Sequence, residues 1–352
     1  MVPIRRPRTK SATVADTAVV RATNRARVRF HRGSAPPTVE RVSGVSAGAR
    51  RLPAPSLRPY LGRYDGYLLR GFDPGVHVGM PSTSITVILT IDEPIDVPVS
   101  SHPDQAGGRW DALAGGLTLR PTLIAHNGYQ HGIQLAVTPQ AARALFGIPA
   151  GELGEWIVDL SDLLGPEAER VRERIAAISD WRARFAVLDE VFCARVAAID
   201  SRRLEMDANL RRAWRLLTDP AGAPAVDRVA HEIGWSRRHL AARFAGEFGI
   251  TPKEAARLTR FEVSHRMVRR PEVSIAEVAA ATGYYDQAHM AREWRELAGC
   301  PPSAWRAREV FPFVQDDGDP GEKGWVHDRN NRYRNDPYRD DDRPAVADVH
   351  LP

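Results

Sequence analysis

The spacing of apolar positions changes character along the chain. From Leu57 to about Val137, Gly and Pro interrupt short β-branched pieces: Y-L-L at Tyr67 to Leu69, I-T-V-I-L-T-I at Ile85 to Ile91, G-L-T-L at Gly116 to Leu119 and H-G-I-Q-L-A-V at His131 to Val137. Short strands with frequent turns predict a small sheet or barrel. Thr138-Pro139 then offers an N-cap with Pro at the first helical position, and Gly147 offers a stop. After Pro166, Val171, Ile175, Ile178, Phe185, Leu188, Phe192 and Val196 recur mostly three or four apart, which predicts one longer helical stretch.

Residues 207–308 contain a repeat at an offset of about 50. The first copy, A-V-D-R-V-A-H-E-I-G-W-S-R-R-H-L-A-A-R-F-A-G-E-F-G-I-T-P from Ala225, aligns with S-I-A-E-V-A-A-A-T-G-Y-Y-D-Q-A-H-M-A-R-E-W-R-E-L-A-G-C-P-P from Ser274. Ala230 answers Ala279 and Gly234 answers Gly283. Past the glycine the second copy is one residue longer, so that His239 answers His289 and Phe244 answers Trp294. A short apolar helix, a small residue for close helix crossing, a glycine turn and a second amphipathic helix make a helix-turn-helix unit. Ser274 with Glu277 and Thr251 with Glu254 read as capping boxes, the latter opening a helix that joins the units. Phe261, Met267 and Val268 give that linker an apolar face. At 100° per residue, Leu240, Phe244 and Phe248 turn inward in the first unit, and Met290, Trp294 and Leu297 do so in the second. The outward residues Arg237, Arg238, His239 and Ala242, then Gln287, His289, Arg292 and Arg295, are the candidate contacts to double-stranded DNA. Arginine pairs with guanine and glutamine with adenine in the major groove. The bland reading of each such charge is a solvated surface; the repetition of the geometry weakens that reading for the region as a whole.

Composition adds limits. The 352 residues carry a net charge of +5, and 43% are hydrophobic, which is enough for two or three domains with cores. Residues 1–51 hold twelve Arg/Lys against two Asp/Glu, whereas residues 316–352 hold six against ten. Both ends are too polar to bury and are expected to be disordered tails, basic at 1–51 and acidic at 314–352. Two cysteines cannot build a disulfide framework, so a reducing cytoplasm is expected. Arg5 and Arg6 resemble a twin-arginine signal, but no apolar stretch follows. The longest apolar run is about a third of the roughly 20 residues that span a bilayer, so no membrane partner is expected.

Chemistry in the N-terminal half is sparse. His77, His102, His126 and His131 are the candidate metal ligands, yet no ordered ligand spacing joins them; no metal and no cofactor is expected. Tyr67, Trp110 and Tyr129 could line an apolar pocket or simply fill the core. Cys193 falls on a helical apolar stripe and reads as a packing residue. P-loop and G-x-G-x-x-G motifs are absent. The chain is therefore expected not to be an enzyme. The alternative from another class is a DNA-targeted enzyme using an N-terminal metal or a reactive cysteine.

Over residues 207–308 the sequence resembles the AraC/XylS family of bacterial transcription regulators. The segment G-Y-Y-D-Q-A-H-M-A-R-E-W-R-E-L-A-G-C-P-P-S-A-W follows the family signature G-[FY]-x-[DS]-Q-x-[HY]-[FM]-x-R-x-F-x4-G-x-x-P, and S-R-R-H-L-A-A-R-F matches its first recognition helix. Tyr285 departs from the usual small hydroxyl residue, Trp294 from Phe, and Ala241 and Ala242 from larger polar contacts. The resemblance implies two recognition helices in successive major-groove segments and usually activation through RNA polymerase. The N-terminal half, through H-G-I-Q-L-A-V-T-P-Q-A-A-R-A-L-F-G-I-P and W-R-A-R-F-A-V-L-D, looks like the companion domain of actinobacterial AraC-like regulators. That implies sensing of a small-molecule effector or homodimerisation. The expected fold is α+β multidomain: a small β-sheet or barrel with a helical tail at 52–200, and an all-α domain of two helix-turn-helix units at 201–313.

Overall fold

The computed structural model describes residues 44–198 and 206–308, together with the backbone of a strand at 323–328. Its N-terminal part contains two antiparallel sheets. The larger has seven strands in the order β10-β7-β4-β9-β2-β1-β11, formed by β10 (Ile157–Asp159), β7 (Ala112–Gly115), β4 (Ile85–Thr90), β9 (Gln130–Val137), β2 (Leu61–Arg70), β1 (Val45–Arg51) and β11 (Lys323–Asp328). The smaller runs β3 (Gly75–Gly79), β8 (Thr122–His126), β5 (Ile95–Val99) and β6 (Ala106–Trp110).

The apolar run at Ile85–Ile91 is near-continuous because β4 is covered on both faces. Ile85, Val87 and Leu89 join Ile133, Leu135 and Val137 of β9 beneath a helical layer. Ile88 points the other way, into a second core between the sheets with Ile95, Val97, Leu113, Ile124 and Ile157. The helical layer comprises α1 (Ala142–Phe146), α2 (Ala150–Leu153), α3 (Ser161–Leu164), α4 (Glu167–Ala176) and α5 (Trp181–Ala198), whose Val171, Ile175, Phe185, Leu188 and Phe192 close the first core.

Several expectations are corrected here. The basic tail does not extend unstructured to Arg51, because Val45–Arg51 pairs along its length with β2 and alternates its burial at first. Nor is the acidic tail without structure throughout: Lys323–Asp328 pairs antiparallel with β1 and occupies the sheet edge, which supplies partners for backbone groups that an open edge leaves unpaired. The rest of both tails, and residues 199–205 and 309–313, lie outside the described residues. The helix after Pro166 is two helices, α4 and α5, with Arg184 Nε donating to the carbonyls of Ile175 and Ile178 at the break. Thr138 does not cap through its side chain; its hydroxyl donates to Tyr60 O at 3.2 Å.

The C-terminal part is helical: α6 (Ala208–Leu217), α7 (Val226–Glu232), α8 (Arg237–Phe248), α9 (Pro252–Val268), α10 (Ile275–Ala281), α11 (Gln287–Ala298) and α12 (Pro302–Arg308). Both expected capping boxes form, opening α9 at Thr251 and α10 at Ser274. Leu240, Phe244, Phe248, Phe261, Met290, Trp294 and Leu297 are fully buried in one core. That core takes in Met80 and Leu117 from the β domain, so apolar contact joins the two parts.

Candidate nucleic-acid interface

Each helix-turn-helix unit builds its turn the same way. After α7 and α10 the chain passes through a left-handed glycine, Gly234 (φ 72°) and Gly283 (φ 73°). The aromatic residue after the glycine then bonds back: Trp235 N donates to Ala230 O at 2.9 Å, and Tyr284 N donates to Ala279 O at 3.1 Å. Only glycine takes that backbone region without strain. Ser236 then caps α8 and Asp286 caps α11, each accepting the third helical N–H, from His239 at 3.2 Å and from His289 at 2.6 Å. These caps hold the start of both outward-facing helices.

Of the predicted contacts, Arg237, Arg238, His239 and Ala242 on α8 and Gln287, Arg292 and Arg295 on α11 are exposed, and His289 is half-buried. Arg237 lies 3.5 Å from Asp227 with both side chains more than 70% exposed, a pairing weak enough to exchange for another partner. Arg295 Nη1 folds back onto Ala291 O at 3.2 Å. The two histidines also serve the turns. His239 sits edge-on to Trp235 at 4.6 Å, and His289 sits edge-on to Tyr284 at 5.4 Å while its Nδ1 accepts from Tyr285 N at 3.3 Å.

Several contacts that hold these helices and the linker between them were not anticipated from the sequence. Glu247, near the end of α8, is buried and accepts a bidentate pair from Arg143 of α1, with both bonds at 2.8 Å; that hydrogen bonding raises the arginine's pKa. Gly151 of α2 lies against the same helix end, where a Cβ would stand 2.6 Å from Gly246 O. Glu293 of α11 is also buried and binds Arg257 and Arg260 of α9. Burial alone would lower both arginines, but the facing carboxylates outweigh it and hold them above the ordinary value. Trp294 Nε1 donates to Ser264 Oγ at 2.9 Å, and Thr83 donates from N and Oγ1 to Glu262 of α9 at 3.3 and 2.8 Å. A signal existed: Glu247 stands three residues after buried Phe244, and Glu293 three after buried Met290. Both are carboxylates on an apolar stripe, which require partners.

The N-terminal candidates separate. His77 and His126 face each other at 5.9 Å between β3 and β8, and burial drives His77 down to about 3. His131 lies on β9 in the other sheet. Burial lowers its pKa despite Asp92 beside it, and the neutral ring matches its neighbours, with Nδ1 donating to Asp92 at 2.7 Å and Nε2 accepting from Arg184 at 3.1 Å. His102 stacks on Trp156 at 4.0 Å. Among the described residues no group of three or more His, Cys, Asp or Glu is placed to hold a metal. Cys193 is half-buried with Sγ 3.4 Å from Ser56 Oγ. A cavity of about 100 Å³ lies between the sheets, lined by Tyr67, His77, Ser84, Thr86, Gln130 and Gln134 among others, with no charged side chain on its wall. Trp110 packs instead on the core between the sheets, and Tyr129 lines a neighbouring cleft. No helix among the described residues is long and apolar enough to cross a membrane.

The helix-turn-helix domain family HTH_18 matches residues 229–308. A Streptomyces lividans protein named as an AraC-like transcription regulator is 30% identical over 94 residues, covering 27% of this chain and 31% of that relative. The HTH-type transcriptional regulator GlxA of Rhizobium meliloti (strain 1021) is 26% identical over 176 residues, 49% of this chain and 53% of the relative. These matches thus span about a third and about half of the relatives' own lengths. Among solved structures, ToxT from Vibrio cholerae O395 aligns at 12% identity over 69% of this chain and 96% of its own, with a TM-score of 0.42. With the repeated turn geometry, the family match and the two relatives in agreement, residues 229–308 of this chain are an AraC-type helix-turn-helix domain.

Proposed function

We propose that this protein is a sequence-specific DNA-binding transcription regulator of the cytoplasm, and not an enzyme. The observation that carries the reading is the duplicated unit: two capped helices, α8 and α11, present exposed Arg237, Arg238, His239 and Ala242 on one and exposed Gln287, Arg292 and Arg295 with half-buried His289 on the other. The linker helix α9 joins them through buried ion pairs and a shared core, which favours a fixed spacing over independent docking. Two helices so held would enter successive major-groove segments about 34–36 Å apart, one helical turn of duplex.

The β domain is proposed to sense a small-molecule effector or to dimerise. Its cavity supports the first role, and its contacts with α8 and α9 give a route by which a change there reaches the DNA-contacting helices. Activation through RNA polymerase is the outcome proposed from the family resemblance. The test is binding of the full-length protein to a random duplex library, with the affinity of the enriched site followed against salt. Enrichment of an extended motif held far more tightly than bulk DNA supports the reading. Weak binding without enrichment, lost in proportion to added salt, indicates a merely electrostatic association and contradicts it.

A further inference from the structure

The two units match residue for residue around their turns except at one point. In the first, Gly234-Trp235 leads directly to the cap Ser236; in the second, Gly283-Tyr284 is followed by Tyr285 before the cap Asp286. The positions flanking the difference coincide in role: the left-handed glycines, the back-bonds from Trp235 and Tyr284, and the caps on His239 and His289. Tyr285 is therefore the inserted residue. Tyr284 keeps the packing role at 5% exposure, whereas Tyr285 is 92% exposed, well beyond Val76 at 54%, the other large hydrophobic residue that stands out among the described residues. Folding gains little from an aromatic ring left in water. The backbone that carries the ring is nevertheless fixed in place, because its N–H is tied to His289 Nδ1 and the next residue caps α11. It stands at the N-terminal rim of α11, beside exposed Gln287 and on the end of the helix that the proposed function directs into the groove.

We propose that Tyr285 is a DNA contact residue whose ring packs against the apolar edge of the duplex, a deoxyribose or a thymine 5-methyl group, beside the groove segment entered by α11. The proposal rests on the reading of α11 as a recognition helix. A neutral ring contributes by burial, so its share of the affinity is independent of counterion release, unlike a contact to phosphate.

The test uses the full-length protein and the duplex it enriches. Tyr285→Ala is expected to weaken binding about tenfold, the scale for burying one aromatic side chain, with the slope of affinity against salt unchanged and the melting temperature kept. Tyr285→Phe is expected to bind like the parent. Replacing thymines one at a time with deoxyuridine separates the two apolar sources: loss at one position in the parent but not in Tyr285→Ala assigns the methyl group, and no loss at any position assigns the sugar. Unchanged affinity of Tyr285→Ala for a duplex that the parent does enrich overturns this proposal alone, and directs attention to a protein partner for the ring. Failure of the parent to enrich any duplex overturns the recognition-helix reading itself.

Discussion

The two helix-turn-helix units share a turn but not an anchor. The first is fastened to the β domain, through Arg143 on Glu247 and through Gly151 against the end of α8. It also packs on α6, where Trp214 lies 5.7 Å from Phe244 and 4.4 Å from Phe248. The second is fastened to the linker helix, through Glu293 on Arg257 and Arg260 and through Trp294 on Ser264. A repeated sequence thus specifies the local motif twice, while the buried carboxylate in each copy pairs with a different neighbour. On the proposed function this implies an asymmetry: a change in the β domain would reach α8 directly through Arg143 and Gly151, and α11 by way of α9, which Thr83 also touches.

The largest effects should come from the matched core positions. Phe244→Ala and Trp294→Ala each remove a fully buried ring and are expected to cost about 3–5 kcal/mol in denaturant unfolding. Hydrogen exchange should localise the first loss to α6, α7 and α8 and the second to α9, α10 and α11. Identical exchange patterns would mean that the units are not separately anchored. Next come the ion pairs. Arg143→Ala leaves Glu247 buried without its partner and should destabilise by about 1–3 kcal/mol, raising exchange at the end of α8 and sparing α11; Arg260→Ala should do the reverse. Smaller again, Gly234→Ala and Gly283→Ala should each cost about 1–2 kcal/mol through the left-handed backbone alone, since a Cβ there meets nothing within 4 Å. A melting curve unchanged by either would contradict the turn geometry.

Much of the helical domain was legible because its signals are local. The Ala-x-x-x-Gly spacing, the Thr251 and Ser274 capping boxes and the inward stripe of Leu240, Phe244 and Phe248 each act within one or two turns of chain. The β domain was legible only in class: short strands were visible, but an antiparallel sheet pairs residues far apart, and nothing near Val45 announces pairing with Asp328. Similarly, Ile178 kept the apolar spacing through the gap between α4 and α5, so periodicity alone ran the two helices together. The proposed contact residues were visible as the polar face of a helix, whereas their supports were not. Glu247 lies on the apolar stripe of α8, but nothing local names its partner, Arg143, which stands 104 residues earlier.

The central claim is that both recognition helices read bases, each in its own groove segment. It is tested most directly by selecting duplexes with the parent, Arg238→Ala and Arg292→Ala full-length proteins side by side. The expected result is two blocks of sequence preference about one helical turn apart for the parent, with Arg238→Ala relaxing one block and Arg292→Ala the other, each at a cost of about 1–3 kcal/mol on the parental site. Uniform weakening across all sequences by both substitutions, with the two blocks intact or never present, would contradict it.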